Sequence, residues 1–138
     1  LEFFLASSLA IKPDFKLRRF FMAKVAITVN GSAPPNIYPP MILGSSAAAS
    51  GDDVSIFCCP AGAPTMVKGE LEKISGKGLP DIVELYDGLC SLGAKIYVCE
   101  LALENKDLKP EDFREGVEII GATSFMASIS DANITFSF

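Results

Sequence analysis

Apolar positions along the chain fall into two alternating kinds of run. Short, nearly continuous runs rich in β-branched and aromatic residues recur at 23–30 (AKVAITVN), 54–59 (VSIFCC), 95–99 (KIYVC), 117–121 (VEIIG) and 133–138 (NITFSF). Such runs read as strands, and the continuous ones as strands covered on both faces of a sheet. Between them lie helical patterns. Ile82, Leu85, Leu89 and Leu92 recur at helical spacing and predict a helix over Asp81–Leu92. Met41–Ser50 reads as a helix opened by proline, following a loop over Gly31–Pro40 that holds Pro34, Pro35, Pro39 and Pro40. Thr65 is placed to cap a helix from Met66 to about Ile74, with Glu70 and Lys73 on its solvated side. Leu101–Lys109 reads as a longer connecting stretch, Pro110–Gly116 as a short acidic-capped helix, and Thr123–Ser130 as a further helix. Strands alternating with helices predict an α/β fold: a mostly parallel five-stranded sheet with helices on both faces.

This pattern occupies residues 22–138 and reads as one domain, since 138 residues suit a single core. Residues 1–21 stand apart. Their apolar run Phe3–Ile11 is preceded by Glu2 and followed by the basic residues, the reverse of a secretory signal, and nine residues cannot span a bilayer. The segment has two readings: an oligomer-docking arm, or a loosely held extension before an internal start at Met22.

Charge and composition narrow the function. With a net charge of −5 and only 12 Lys and Arg, the chain has no electrostatic footprint for nucleic acid or for an anionic membrane surface. Histidine is absent, which removes Cys-His and Ser-His catalysis and the usual zinc sites. The four cysteines, Cys58, Cys59, Cys90 and Cys99, are too few and too irregular for a secreted disulfide framework and form no CxxC knuckle, so no metal site is expected and a reducing cytoplasm fits best. The chemistry left is that of thiol, carboxylate, hydroxyl or lysine. Cys99 leads, because it ends the run Gly93-Ala94-Lys95-Ile96-Tyr97-Val98-Cys99, and the carboxyl ends of strands in open α/β sheets are where ligands gather. The loop after the first strand lacks the Gly- and Thr-rich phosphate cradle of a flavodoxin-type site, so neither flavin nor any other organic cofactor is expected.

The order of pieces resembles the DsrE/DsrF-like (DsrEFH-like) family of small sulfur-relay proteins. The resemblance rests on the first strand, then Tyr38-Pro39-Pro40-Met41-Ile42-Leu43-Gly44-Ser45-Ser46-Ala47-Ala48-Ala49, Val54-Ser55-Ile56-Phe57, Gly93 to Cys99, Gly116-Val117-Glu118-Ile119-Ile120-Gly121-Ala122 and Ser130-Asp131-Ala132-Asn133-Ile134-Thr135. It implies a three-layer α/β/α sandwich, assembly as trimers or hexamers, and a cysteine at the end of the third strand that carries sulfane sulfur. That role maps onto Cys99, and a helix cysteine found in one branch of the family maps onto Cys90.

Sulfur transfer needs a thiolate that attacks a sulfane sulfur and then offers it onward. Cys99 is the expected acceptor. Cys90 is either core filler or a secondary thiol, and its α-carbon is expected to lie beyond disulfide range of Cys99. Cys58 and Cys59 face opposite layers, and either could receive or resolve sulfur from Cys99 if the second and third strands are neighbours, with Cys59 the candidate resolving thiol; core packing is the expected role of at least one. The resulting reading is a cytoplasmic sulfur-carrier or sulfurtransferase subunit that accepts sulfane sulfur as a persulfide or thiosulfonate on Cys99 and exchanges it with a small sulfur-carrier protein. The alternative is a non-catalytic oligomeric binding or regulatory module whose cysteines only pack. A 49% apolar composition predicts a homo-oligomer in either case.

Overall fold

A computed structural model describes residues 22–138, and the readings of residues 1–21 lie outside the described residues. Within them, β1 (Lys24–Val29), β2 (Asp53–Cys58), β3 (Lys95–Cys99), β4 (Val117–Ile120) and β5 (Ile134–Ser137) form one sheet in the order β4-β3-β2-β1-β5, every pairing parallel. The expected strands are all present, and the sheet is wholly rather than mostly parallel. Because side chains alternate along a strand, the sheet divides its apolar residues between two cores. Val25, Ile27, Val54, Ile56, Cys58, Ile96 and Val98 belong to the larger core; Ala26, Phe57, Tyr97 and Cys99 belong to the smaller one.

The larger core is closed by α1 (Pro34–Ala49), α2 (Ile82–Ser91) and α3 (Leu101–Asn105), which contribute Met41, Leu89 and Ala102 among others. The smaller is closed by α4 (Ala122–Ser128) through Phe125. The result is a three-layer α/β/α sandwich with one thick and one thin helical layer.

Three helical expectations need correction. The segment expected as a loop, Gly31–Pro40, is mostly helix, since α1 begins at Pro34. Pro34 and Pro35 occupy the first turn, where an amide hydrogen has no intrahelical partner anyway. Pro39 and Pro40 sit inside the helix, at a cost of about 3 kcal/mol for an interior proline. Burial of Ile37, Tyr38, Pro40 and Met41 offsets it. Secondly, no α-helix spans Met66–Ile74: the chain makes two single turns of 3-10 helix, Ala63–Met66 and Leu71–Lys73, separated by Gly69 at φ +82°. Thr65 does not cap a helix; its hydroxyl donates back to the Gly62 carbonyl at 2.7 Å. Lastly, Pro110–Asp112 is one 3-10 turn, whereas the supposed connection after β3 contains α3.

Topology creates one privileged position. From β1 to β4 each crossover passes over the face of the larger core, adding strands in one direction. To add β5 on the far side of β1 the chain reverses, and right-handed crossover then requires α4 to pass on the other face. The chain therefore leaves β3 toward one face and β4 toward the other. The crevice between those two carboxyl ends is the switch point of the sheet.

Candidate functional site

Cys99 is the last residue of β3, paired with Ile120 at the end of β4, and so stands at the switch point. Its position is set from behind. Helix α2 starts at Asp81, whose carboxylate accepts from the Val83 and Glu84 amides at 2.8 and 3.1 Å. It stops where the Gly93 amide donates to the Cys90 carbonyl and the Ala94 amide to the Leu89 carbonyl, both at 3.0 Å. That closure needs a left-handed residue, and Gly93 supplies it at φ +86°. The strand begins two residues later and runs straight to Cys99.

Around the Cys99 side chain the environment is apolar and close. Phe125 from α4 stacks on Phe57 with ring centroids 4.4 Å apart and meets Tyr97 edge-on at 6.2 Å. Cys99 packs in this cluster and is 4% exposed; Ile120, Ile129, Ala132 and Cys59 border it. At the rim the Glu100 amide extends the β3–β4 ladder by donating to the Ile120 carbonyl at 3.0 Å, and the exposed Glu100 carboxylate leans toward the Gly121 backbone at the start of α4. Leu101 and Met126 leave exposed apolar side chains on α3 and α4, the two elements that part at the crevice.

Cys59 lies one residue past the end of β2. Its amide still donates to the Val29 carbonyl at 2.9 Å, and its carbonyl accepts from the Gly62 and Ala63 amides at 2.9 Å each, which bends the chain away. The bend presses Gly62 against β1: a methyl there would lie 2.6 Å from the Val29 carbonyl oxygen. The Ser32 hydroxyl donates to the Ala61 carbonyl at 2.5 Å and ties this turn to the loop after β1. Burial pushes the Cys59 thiol up, and the neighbouring Cys99 adds to the effect.

The other two thiols are elsewhere. Cys58 is fully buried in the larger core, where desolvation pushes its thiol up to about 12, with a further contribution from Cys59. Cys90 is on the larger-core side at the amino ends of the strands, beside Gly116, which precedes β4; a methyl on Gly116 would lie 3.2 Å from both the Cys90 sulfur and the Tyr86 hydroxyl. Burial raises the Cys90 thiol, against the lowering effect of the Tyr86 hydroxyl. Cys90 and Cys99 thus occupy opposite faces and opposite ends of the sheet, whereas Cys59 and Cys99 are together.

One cluster near Cys90 had no signal in the sequence. The Arg114 guanidinium lies 4.6 Å over the Tyr86 ring and 3.0 Å from the Glu72 carboxylate, and the Tyr86 hydroxyl donates to the Glu115 carbonyl at 2.8 Å. It pins the start of β4 to α2. A surface groove of about 410 Å³, lined by Tyr38, Glu72, Leu79 and Asp81 among others, contains no thiol. Among the described residues no three His, Cys, Asp or Glu side chains are grouped to hold a metal ion, and no helix is long and apolar enough to cross a membrane.

Comparison with known proteins agrees with this architecture. The model of the DsrE/DsrF-like family matches residues 23–138. An uncharacterized protein of Methanocaldococcus jannaschii is 35% identical over 80 residues, covering 58% of this chain and 29% of that protein, so the chain spans under a third of that relative's length. The sulfur carrier protein DsrE2 of Allochromatium vinosum is 24% identical over 151 aligned positions, covering 80% of this chain and 95% of that protein. Among solved structures, the YchN protein of E. coli superposes with a TM-score of 0.70 at 18% identity, covering 85% of this chain and all of that one.

Proposed function

The chain belongs to the DsrE/DsrF-like family, and from that premise we propose that it is a sulfur carrier that takes sulfane sulfur onto Cys99 and hands it to a partner protein. The observation that carries this reading is the place of Cys99: last in β3, at the switch point, inside an apolar cluster. The name of the Allochromatium relative, a sulfur carrier, points the same way.

The chemistry is a pair of exchanges. The Cys99 thiolate attacks the terminal sulfur of a persulfide or polysulfide donor; a bond forms between Sγ and that sulfur, and the donor leaves as a thiolate or shortened polysulfide. An acceptor thiolate then attacks the outer sulfur and Cys99 departs as thiolate. Neither step needs a metal or organic cofactor. The apolar walls keep water from the loaded sulfur. Because Cys99 is nearly enclosed, loading requires the seven-residue α4 to move aside, which gives up little more than the Phe125 contacts.

The partner is a small sulfur-carrier protein, docking over the rim formed by Leu101, Met126 and Glu100. The carrier assembles with copies of itself, as a trimer or hexamer, through its exposed apolar side chains, and works in the cytoplasm, where reductants keep its thiols free. Cyanolysis tests the reading: protein exposed briefly to polysulfide, freed rapidly of excess reagent and treated at once with cyanide is expected to yield thiocyanate. Cys90→Ser is expected to match wild type, and Cys99→Ser to yield none. Equal yields from wild type and Cys99→Ser would refute the assignment.

A further inference from the structure

We propose that Cys59 and Cys99 work as a pair, in which the Cys59 thiolate displaces the sulfane sulfur of loaded Cys99 as hydrosulfide and closes a Cys59–Cys99 disulfide. The step rests on the carrier reading of Cys99, because it begins from the loaded thiol.

Register places the two thiols side by side. In the parallel β2–β3 pair, Phe57 is opposite Tyr97 and Cys58 opposite Val98, so the next step sets Cys59 opposite Cys99. Cys59 has not yet left the strand path, since its amide still bonds the Val29 carbonyl of β1. Alternation turns both side chains to the same face, and both pack in the small apolar core. Neighbouring strands lie about 4.8 Å apart. Disulfide-bonded α-carbons lie about 4.4–6.8 Å apart, so the pair can be bridged without moving either strand. The alternatives are poor: Cys58 belongs to the opposite core, and Cys90 is at the other end of the sheet.

The reaction closes without an outside oxidant. Cys59 gives up its proton and attacks Sγ of Cys99; the new Sγ–Sγ bond forms as the bond to the sulfane sulfur breaks. The electron pair leaves with that sulfur, which takes up a proton and departs as hydrosulfide. The two thiol sulfurs are oxidised and the sulfane sulfur is reduced. A free thiol, such as glutathione, then reopens the disulfide and restores the carrier. An acceptor already docked takes the outer sulfur first, so the pair discharges only a carrier left without one.

The test is a time course on the full chain, loaded with polysulfide, freed of excess, quenched by alkylation and digested with trypsin without reductant. Wild type is expected to lose its added sulfur, to release hydrosulfide, and to accumulate a cross-link between the peptides 25–68 and 96–106. Cys58→Ala is expected to retain that cross-link, which assigns it to Cys59, and Cys59→Ser is expected to stay loaded without releasing hydrosulfide. Equal persistence of the adduct in wild type and Cys59→Ser, with no cross-link, would overturn the pairing and leave the carrier reading standing. No adduct at Cys99 in any form, Cys59→Ser included, would overturn both.

Discussion

Two adjacent cysteines show how one residue of strand alternation decides chemistry. Cys58 faces the larger core and is wholly buried, whereas Cys59 faces the smaller core beside Cys99. Burial keeps the Cys58 thiol neutral up to about 12, against 9.0 when exposed. The folded value is the raised one, so the contribution to stability is fully present below pH 9 and is lost as the pH climbs toward 12. Denaturation measured across that window is expected to show stability falling with pH, and Cys58→Ala to remove up to about 1.4 kcal/mol per pH unit from the slope. An unchanged slope in the variant would mean that Cys58 is not the buried thiol described. That the two cysteines face opposite layers was legible in the sequence, because alternation needs only the strand's position; which layer each takes was not. Which thiols meet was not, since that depends on strand order and register.

At the level of elements, the inner strands were readable because a covered parallel strand must be apolar almost throughout, whereas the edge runs, VEII over 117–120 and the alternating NITFSF over 133–138, were readable from their β-branched and aromatic residues. Helix α2 was readable from its apolar stripe, Ile82, Leu85, Leu89 and Leu92, while its Asp81 cap and its closure at Gly93 emerge from the structure. Helix α1 was misplaced because prolines at 39 and 40 argue locally for a loop, while the burial of Ile37, Tyr38 and Met41 decides the matter through contacts far away in sequence. The turn segment after β2 failed in the opposite sense, as polar spacing there resembles a helix but Gly69 adopts a left-handed conformation. Helix α4 is the element on which access to Cys99 depends. Its hold on the sheet is chiefly Phe125 against Phe57 and Tyr97. Phe125→Ala is expected to cost about 3 kcal/mol in denaturant melts and to speed alkylation of Cys99 by iodoacetamide. Unaltered alkylation in a correctly folded variant would show that another route reaches the thiol.

For the molecule as a whole, reversal of strand order between β4 and β5 turns an ordinary strand end into a crevice. The same reversal leaves β5 as an exposed edge, with Ile134 and Phe136 partly open to solvent. Ile134 at 40% and Phe136 at 38% exposure put apolar side chains on this open edge, apart from the rim of Leu101 and Met126 at the crevice. Sedimentation at micromolar concentration is expected to show a homo-oligomer, and a clean monomer would contradict that. The most direct measurement of the central claim is intact-protein mass spectrometry after brief exposure to polysulfide, comparing wild type with Cys99→Ser and Cys90→Ser. Wild type and Cys90→Ser are expected to gain the mass of a sulfur atom, and Cys99→Ser none. An adduct that survives Cys99→Ser, or one that vanishes only with Cys90→Ser, would contradict it.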